Sequence, residues 1–331
     1  MKYSRVAQND ANPNGLEGYA ALTQGAAIVD RSDRRLLRLT GKDPVGMLNA
    51  VLTNDVPAGE DRGAYALLLD PKGRVQADLR AVKTGGGILL DTEPEGAEAA
   101  AEILGRYAPF SRVRMEKLSD WSVLGLYGPH SADLLEVPAL SEHETKQVEI
   151  DGLPVLVVGV VVPVAGYDLI APSDALDEIR GYLIGRGATT ADPAVHDTAR
   201  IEAGIPRFGA DITPDNFPGE STNILERAVS FGKGCYPGQE TVARMHYRGN
   251  PNKRLYRFEL EPDHEEPDAG AEILQDDNAP ASSAGVVGRL TSVAPFPVDG
   301  KVRALGYLAR KADPEAPMRT KSARVLTVAQ A

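Results

Sequence analysis

The only thiol in this 331-residue chain is Cys235, within the run Lys233-Gly234-Cys235-Tyr236-Pro237-Gly238-Gln239-Glu240. Gly232, Gly234, Pro237 and Gly238 surround it with residues that neither a regular helix nor a central strand accommodates, so the spacing predicts an exposed turn. Glycine on the N-terminal side of a thiol lets a ligand or a second backbone approach closely. Lys233 and Arg244 add positive potential, which favours the thiolate, the form that attacks electrophiles or ligates metal. A plainer reading stands beside this one: cysteine is among the most buried residue types, and a lone one is often a small hydrophobe. The Gly-rich turn and its polar continuation favour the functional reading.

A thiol nucleophile needs an imidazole within hydrogen-bond reach. The candidates are His130, His143, His196, His246 and His264; His246 is nearest in sequence, and no spacing rule selects it. One cysteine cannot close an internal disulfide or hold zinc or an iron-sulfur cluster by itself, so any metal chemistry is shared with a partner. From 233 to 257 the chain carries Lys233, Arg244, Arg248, Lys253, Arg254 and Arg257 against the lone acid Glu240. An anionic ligand near Cys235 and a solvated basic face both explain that run. Glu202 sits in the last turn of an expected helix, where a carboxylate opposes the helix dipole. It is placed either to grip a planar nitrogen heterocycle or to pair with Arg200 or Arg207. No P-loop, dinucleotide fingerprint, paired-cysteine zinc motif or Gly-flanked catalytic serine is present.

The elements that must position these residues alternate between helix and strand. Asp43 as N-cap and Pro44 open a short amphipathic helix within 41–56. Strands over 65–69 and 75–82 flank the turn Asp70-Pro71-Lys72-Gly73, the second with Val75, Ala77, Leu79 and Ala81 alternating against Gln76, Asp78 and Arg80. That pattern predicts a half-buried hairpin. Further strands are expected over 88–90, 112–115, 122–127, 147–150, 153–162 and 167–170, with helices over 95–107 and 131–135 and one capped by Ser173. Asp192 and Pro193 open a helix over 194–203 that Gly204 and Pro206 close. Short strands beyond 248, over 254–260, 271–274, 286–290, 301–308 and 324–328, read as a small antiparallel barrel. The expectation is an α+β protein with two related α+β halves and a barrel, divided at 1–128, 129–247 and 248–331.

Apolar residues make up 42% of the chain and charged residues 25%, an ordinary globular composition. No apolar run approaches the roughly 20 residues a spanning helix needs, and residues 1–15 show no targeting pattern, so a cytoplasmic protein without a membrane partner is expected. The formal charge of −11 disfavours nucleic acid as a general partner, with the basic stretch above as a local exception.

With these residues in place, the run 233–240, continued by Val242-Ala243-Arg244 and Arg248-Gly249, resembles the hallmark of YgfZ-type tetrahydrofolate-binding proteins. Three more segments agree in order: Leu39-Thr40-Gly41-Lys42-Asp43 through Leu52-Thr53-Asn54-Asp55-Val56, then Pro71-Lys72-Gly73-Arg74-Val75, then Arg200-Ile201-Glu202-Ala203-Gly204-Ile205-Pro206 with Gly209 and Asp211. That family resembles the aminomethyltransferase of the glycine cleavage system, with a folate pocket at the centre of three lobes. The resemblance implies that Glu202 contacts the pterin, that Arg244 and its basic neighbours face the glutamate tail, and that Asn54, Tyr236 and Gln239 belong to the folate site. It implies Cys235 and Lys233 as the reactive pair of a monomeric accessory factor whose partners are folate and iron-sulfur proteins or their assembly factors.

Two other functions compete. A true aminomethyltransferase needs a carboxylate over the reactive folate nitrogen; the resemblance leads one to seek it after the strand at 88–90, where Asp91-Thr92-Glu93-Pro94-Glu95-Gly96 does not reproduce the motif. A methylamine-oxidising fragment would adjoin a flavin domain, and no flavin motif is present.

Overall fold

The computed structural model describes residues 13–59, 61–249, 251–263, 265–275 and 285–331; His264 therefore lies outside the described residues. Helix α1 (Pro13–Gln24) and strand β1 (Ala27–Asp30) lead into a five-stranded sheet ordered β3-β4-β5-β2-β6. Its members are β2 (Arg35–Gly41), β3 (Ala64–Leu69), β4 (Val75–Thr84), β5 (Gly87–Thr92) and β6 (Val113–Lys117), with helices α2 (Pro44–Val51) and α3 (Ala97–Tyr107). Asp43 caps α2 as expected, accepting from the Gly46 N–H at 2.8 Å. Residues 52–56 leave the helix because Thr53 bonds elsewhere: its Oγ1 accepts from Leu67 N at 2.8 Å and donates to Ala228 O at 2.6 Å.

The second sheet is ordered β11-β1-β7-β10-β9-β8. It comprises β7 (Trp121–Tyr127), β8 (Thr145–Ile150), β9 (Leu153–Val160), β10 (Gly166–Pro172) and β11 (Thr189–Ala191), interleaved with α4 (Ser131–Leu135) and α5 (Ser173–Gly185). This pairing corrects the expected boundary at 128, because β1 and β7 come from the first 128 residues yet belong to the second sheet. Ser173 begins α5 without capping it; its Oγ bonds Asp120 O at 3.1 Å. Helix α6 (Pro193–Glu202) follows, capped by Asp192 on the Ala194 N–H at 2.8 Å and ended by Gly204 at φ +74°.

Helices α7 (Thr222–Ala228) and α8 (Gln239–Arg248) precede a closed barrel. Its strands are β12 (Lys253–Pro262), β13 (Glu272–Gln275), β14 (Gly285–Val293), β15 (Val302–Ala309), β16 (Met318–Arg319) and β17 (Ala323–Gln330), in the order β12-β15-β14-β13-β16-β17. The sequence reading lacks α1, α7, α8, β1, β2, β11 and β16. Helix α8 begins directly after Gly238, whose φ of +80° is open to glycine at little cost. No helix among the described residues is long and apolar enough to cross a membrane.

The two sheets pack face to face, and period-2 alternation decides what each face does. Ala77, Leu79, Ala81, Ile88 and Leu90 point outward to α2 and α3, whereas Val82 and Leu89 point inward. In the second sheet Leu169 and Val157 pack outward toward α5, and Ile170, Val158 and Leu156 meet the first sheet. Where this inner aliphatic layer ends, the same alternation presents Asp78, Arg80, Asp91 and Asp168.

The β3–β4 turn docks on the start of α8. A Cβ added at Gly238 would lie 2.7 Å from both Asp70 O and Gly73 Cα, and one at Gly73 would lie 2.8 Å from Thr241 Cβ. Three of the four motif segments noted above thus meet in space: 52–56, 71–75 and 233–244. Gly238→Ala should cost about 2 kcal/mol, through strained backbone and this contact, read by chemical denaturation; Gly234→Ala, whose Cβ meets nothing within 4 Å, should be close to neutral.

Candidate functional site

Between the inner sheet faces, α6 and the loops after it lies a cavity of about 970 Å³. Its wall carries Tyr65, Asp78, Arg80, Glu93, Tyr127, His143, Asp168, His196, Arg207 and Arg227 among others. A chain of charges runs beneath it. Arg80 bonds Asp91 on the neighbouring strand and reaches Asp168 on the second sheet at 2.6 Å. Arg34 bonds Asp91 and, at 2.5 Å, Glu93. Tyr127 donates to Asp168 and accepts from Arg31 at 3.1 Å. Burial pushes Asp91 and Asp168 up, but the facing guanidinium groups, Arg34 and Arg80 on Asp91 and Arg80 and Arg31 on Asp168, outweigh it and hold both below the ordinary carboxylate range. These two are fixed anions.

Asp78 differs. Burial, then the Glu93 carboxylate, pushes it up to about 6. Its Oδ2 accepts from the Tyr65 hydroxyl at 3.1 Å, while its Oδ1 is buried with no protein partner. Burial and neighbouring arginines also push His143 down to about 4 and His196 well below the usual imidazole value, so both are neutral near pH 7. A guanidinium only donates, so His196 Nε2 is the acceptor for Arg31 at 3.2 Å. Arg207 lines the cavity with its Nε buried and without a hydrogen bond, and among the described residues it has no carboxylate partner. The wall therefore carries an ionisable carboxylate and a cation, each with one buried polar atom that no protein group satisfies.

None of the seven site residues read from the sequence lies on this wall. Glu202 points away: Tyr19 on α1 donates to it, and Arg303 Nε stands 3.7 Å from it on the barrel side. The helical spacing explains this, because positions 193, 194, 196, 197 and 200 of α6 line the cavity and 202 does not. Arg244 is exposed on α8. Gln239 is half-buried at the first turn of α8, and Tyr236 is core, its hydroxyl pushed up to about 12 by burial. Cys235 is exposed, which disposes of the buried-hydrophobe alternative. Lys233 is a clamp, its ammonium donating to Leu52 O at 2.7 Å and Asn54 O at 2.8 Å.

Asn54 joins the two regions. Its amide donates to Tyr65 O at 3.0 Å and Arg227 O at 3.1 Å, and both of those residues line the cavity. The loop carrying Cys235 is thus tied through Lys233 and the 52–54 backbone to the cavity wall. The cavity residues were hidden in the sequence because Asp78 and Arg80 occupy the polar positions of an alternating strand, which read as solvent-facing.

Among the described residues no group of three or more His, Cys, Asp or Glu side chains is arranged to hold a metal ion. Asp78→Asn should raise the thermal midpoint at pH 8. Folding disfavours the ionised carboxylate, a penalty absent below about pH 4 that grows as pH rises through 6, so the gain should shrink on acidification and reach at most about 3 kcal/mol.

Comparison with known proteins agrees with this architecture. The family model described as the GCVT N-terminal domain matches residues 2–233. The chain is 30% identical over 236 residues to the tRNA-modifying protein YgfZ of Yersinia pestis (strain Pestoides F), covering 69% of each chain. It is 28% identical over 255 residues to an uncharacterized protein of Haemophilus influenzae, covering 74% of this chain and 78% of the relative. The solved glycine cleavage system aminomethyltransferase T from Bartonella henselae superposes with a TM-score of 0.77 at 20% identity, covering 96% of this chain and 88% of that one, a likeness of fold. The chain belongs to the family of GCVT-domain proteins that includes YgfZ.

Proposed function

We propose that this chain is a tetrahydrofolate-binding accessory factor for the assembly or repair of iron-sulfur clusters in other proteins. The observation that carries the folate reading is the pair of cavity-lining residues, Asp78 and Arg207, whose polar atoms the protein itself leaves unsatisfied. A reduced pterin presents N–H donors along one edge, for which ionised Asp78 is an acceptor, and its glutamate tail carries carboxylates, to which Arg207 is a donor. Neutral His143 and the Tyr65 ring add polar and aromatic wall for a planar heterocycle. The bound folate would supply one-carbon chemistry; the chain's own residues bind and orient it. Cys235, outside the cavity, serves as a thiolate ligand to cluster cargo, with the other ligands coming from the client protein. The name of the Yersinia relative carries RNA modification into the same proposal as the setting in which the clients work.

A second reading, folate-dependent aminomethyl transfer, draws support from Asp78. Asp91 is sealed between Arg34 and Arg80, but Asp78, held near 6 within the cavity, has the properties of a general acid or base. One-carbon transfer from an aminomethylated carrier protein, abolished in Asp78→Asn, would favour this reading over the accessory role.

Titration calorimetry with tetrahydrofolate tests the first reading. Wild type should bind, Asp78→Asn and Arg207→Ala should each weaken binding about tenfold or more, and Glu202→Ala should not, since its carboxylate faces Tyr19 and Arg303. Wild-type affinity should fall as pH drops through 6, and Asp78→Asn should flatten that profile. Absence of binding by wild type overturns the folate assignment. In a deletion strain, Cys235→Ala should bind folate normally yet fail to restore iron-sulfur enzyme activity; full restoration removes the thiol from the mechanism.

A further inference from the structure

The basic stretch of the sequence divides in the structure. Lys233 is committed to backbone carbonyls, Lys253 lies 4.5 Å over the Tyr307 ring and 3.8 Å from Glu220, and Arg257 donates to Glu202 O at 2.6 Å. Arg254 lies half-buried on β12, which leaves Arg244 and Arg248, exposed one turn apart on α8, and among the described residues neither has a carboxylate or hydrogen-bond partner. Beside them three aromatic side chains form one cluster. Phe231 stacks on His246 at 4.1 Å with 21° between planes, and Tyr247 stands edge-on to both, at 5.8 Å from Phe231 and 4.7 Å from His246. Mutual packing holds these rings in place, yet Tyr247 remains 69% exposed and Phe231 37%. Ser230 anchors the approach to Phe231, its N–H on Thr53 O at 2.9 Å and its hydroxyl on Asp55 at 2.8 Å.

We propose that this cluster is a docking surface for single-stranded RNA, with bases stacking on Tyr247 and Phe231 and phosphates meeting Arg244 and Arg248. The composition discriminates between partners. The exposed positions of α8 are Glu240, Arg244, His246, Tyr247 and Arg248, with no aliphatic side chain among them. A groove for an amphipathic peptide needs aliphatic contact area, whereas ring faces bordered by arginines match the stacking and backbone contacts of a single strand. The charge of −11 limits this to a local contact of modest affinity, in the range of roughly 10–100 μM at low salt. Gly232 and Gly234 border the surface with open space, so a strand can pass over the loop that carries Cys235. The choice of RNA over DNA rests on the proposed setting of RNA modification; the surface itself does not depend on folate.

Fluorescence anisotropy with a labelled 12-nucleotide single-stranded RNA of mixed sequence, without folate, tests this. Wild type should bind with a slope of log affinity against log salt near −1.4 for two phosphate contacts. Arg244→Gln and Arg248→Gln should each reduce that slope by about 0.7. Tyr247→Ala should weaken binding about tenfold and Tyr247→Trp should retain it, with thermal midpoints unchanged as the control for folding. No RNA binding, or binding indifferent to these substitutions, overturns the proposal. Equal or tighter binding of the same-sequence DNA overturns the choice of RNA, and binding of an oligoglutamate peptide in place of RNA assigns the surface to acidic proteins. RNA binding by a protein that fails to bind tetrahydrofolate leaves this inference standing and removes the folate reading alone.

Discussion

Two sheets can pack face to face through aliphatic side chains alone, but a cavity between them cannot be walled with charged groups unless those charges are matched. Arg80 meets that constraint. Rooted in the first sheet, it grips Asp91 on the adjacent strand and Asp168 on the second sheet, and its side chain is only 9% exposed. Arg34 and Tyr127 extend the matching to either side. With Asp91 and Asp168 held as fixed anions, the rest of the wall is free to carry groups that are not matched internally. Asp78 and Arg207 have that freedom because the charges behind them are already satisfied.

The same division separates binding from thiol chemistry. The cavity sits between the sheets, and Cys235 stands outside on a loop held by Lys233. What joins them is the 52–55 segment, which leaves helix α2, bonds the wall through Asn54 and receives the Lys233 ammonium on its carbonyls. A lysine beside a thiol invites a reading as its activator, but an ammonium donating to two carbonyls is chiefly a positioning group. Asn54 likewise orients two wall residues through their backbones instead of touching the cavity.

Much of the architecture was legible because local signals and tertiary structure agree. Asp43-Pro44 and Asp192-Pro193 start helices where they should, the Asp70–Gly73 turn joins the expected strands, and the alternating strands after 248 close into a barrel. Helix α8 was illegible because Gly238 reads as a breaker, when at φ +80° it serves as the residue from which the helix departs. The boundary at 128 failed for a different reason: β1 and β7 cross between lobes, and sheet membership is settled by pairing across the chain.

The α+β class, the exposed turn around the single thiol and the family resemblance could all be read from the amino-acid sequence, since each rests on residue type and short spacing. Which polar residues face a cavity depends instead on packing between distant segments. Alternation along β4 places Asp78 and Arg80 on one face, but whether that face meets water or a second sheet is a property of the partner strand, and β10 supplies that partner from some ninety residues away through Asp168. Glu202 shows the converse: a carboxylate at the end of a helix has the right chemistry for a heterocycle, and the rotation of α6 turns it toward Tyr19 and Arg303 instead.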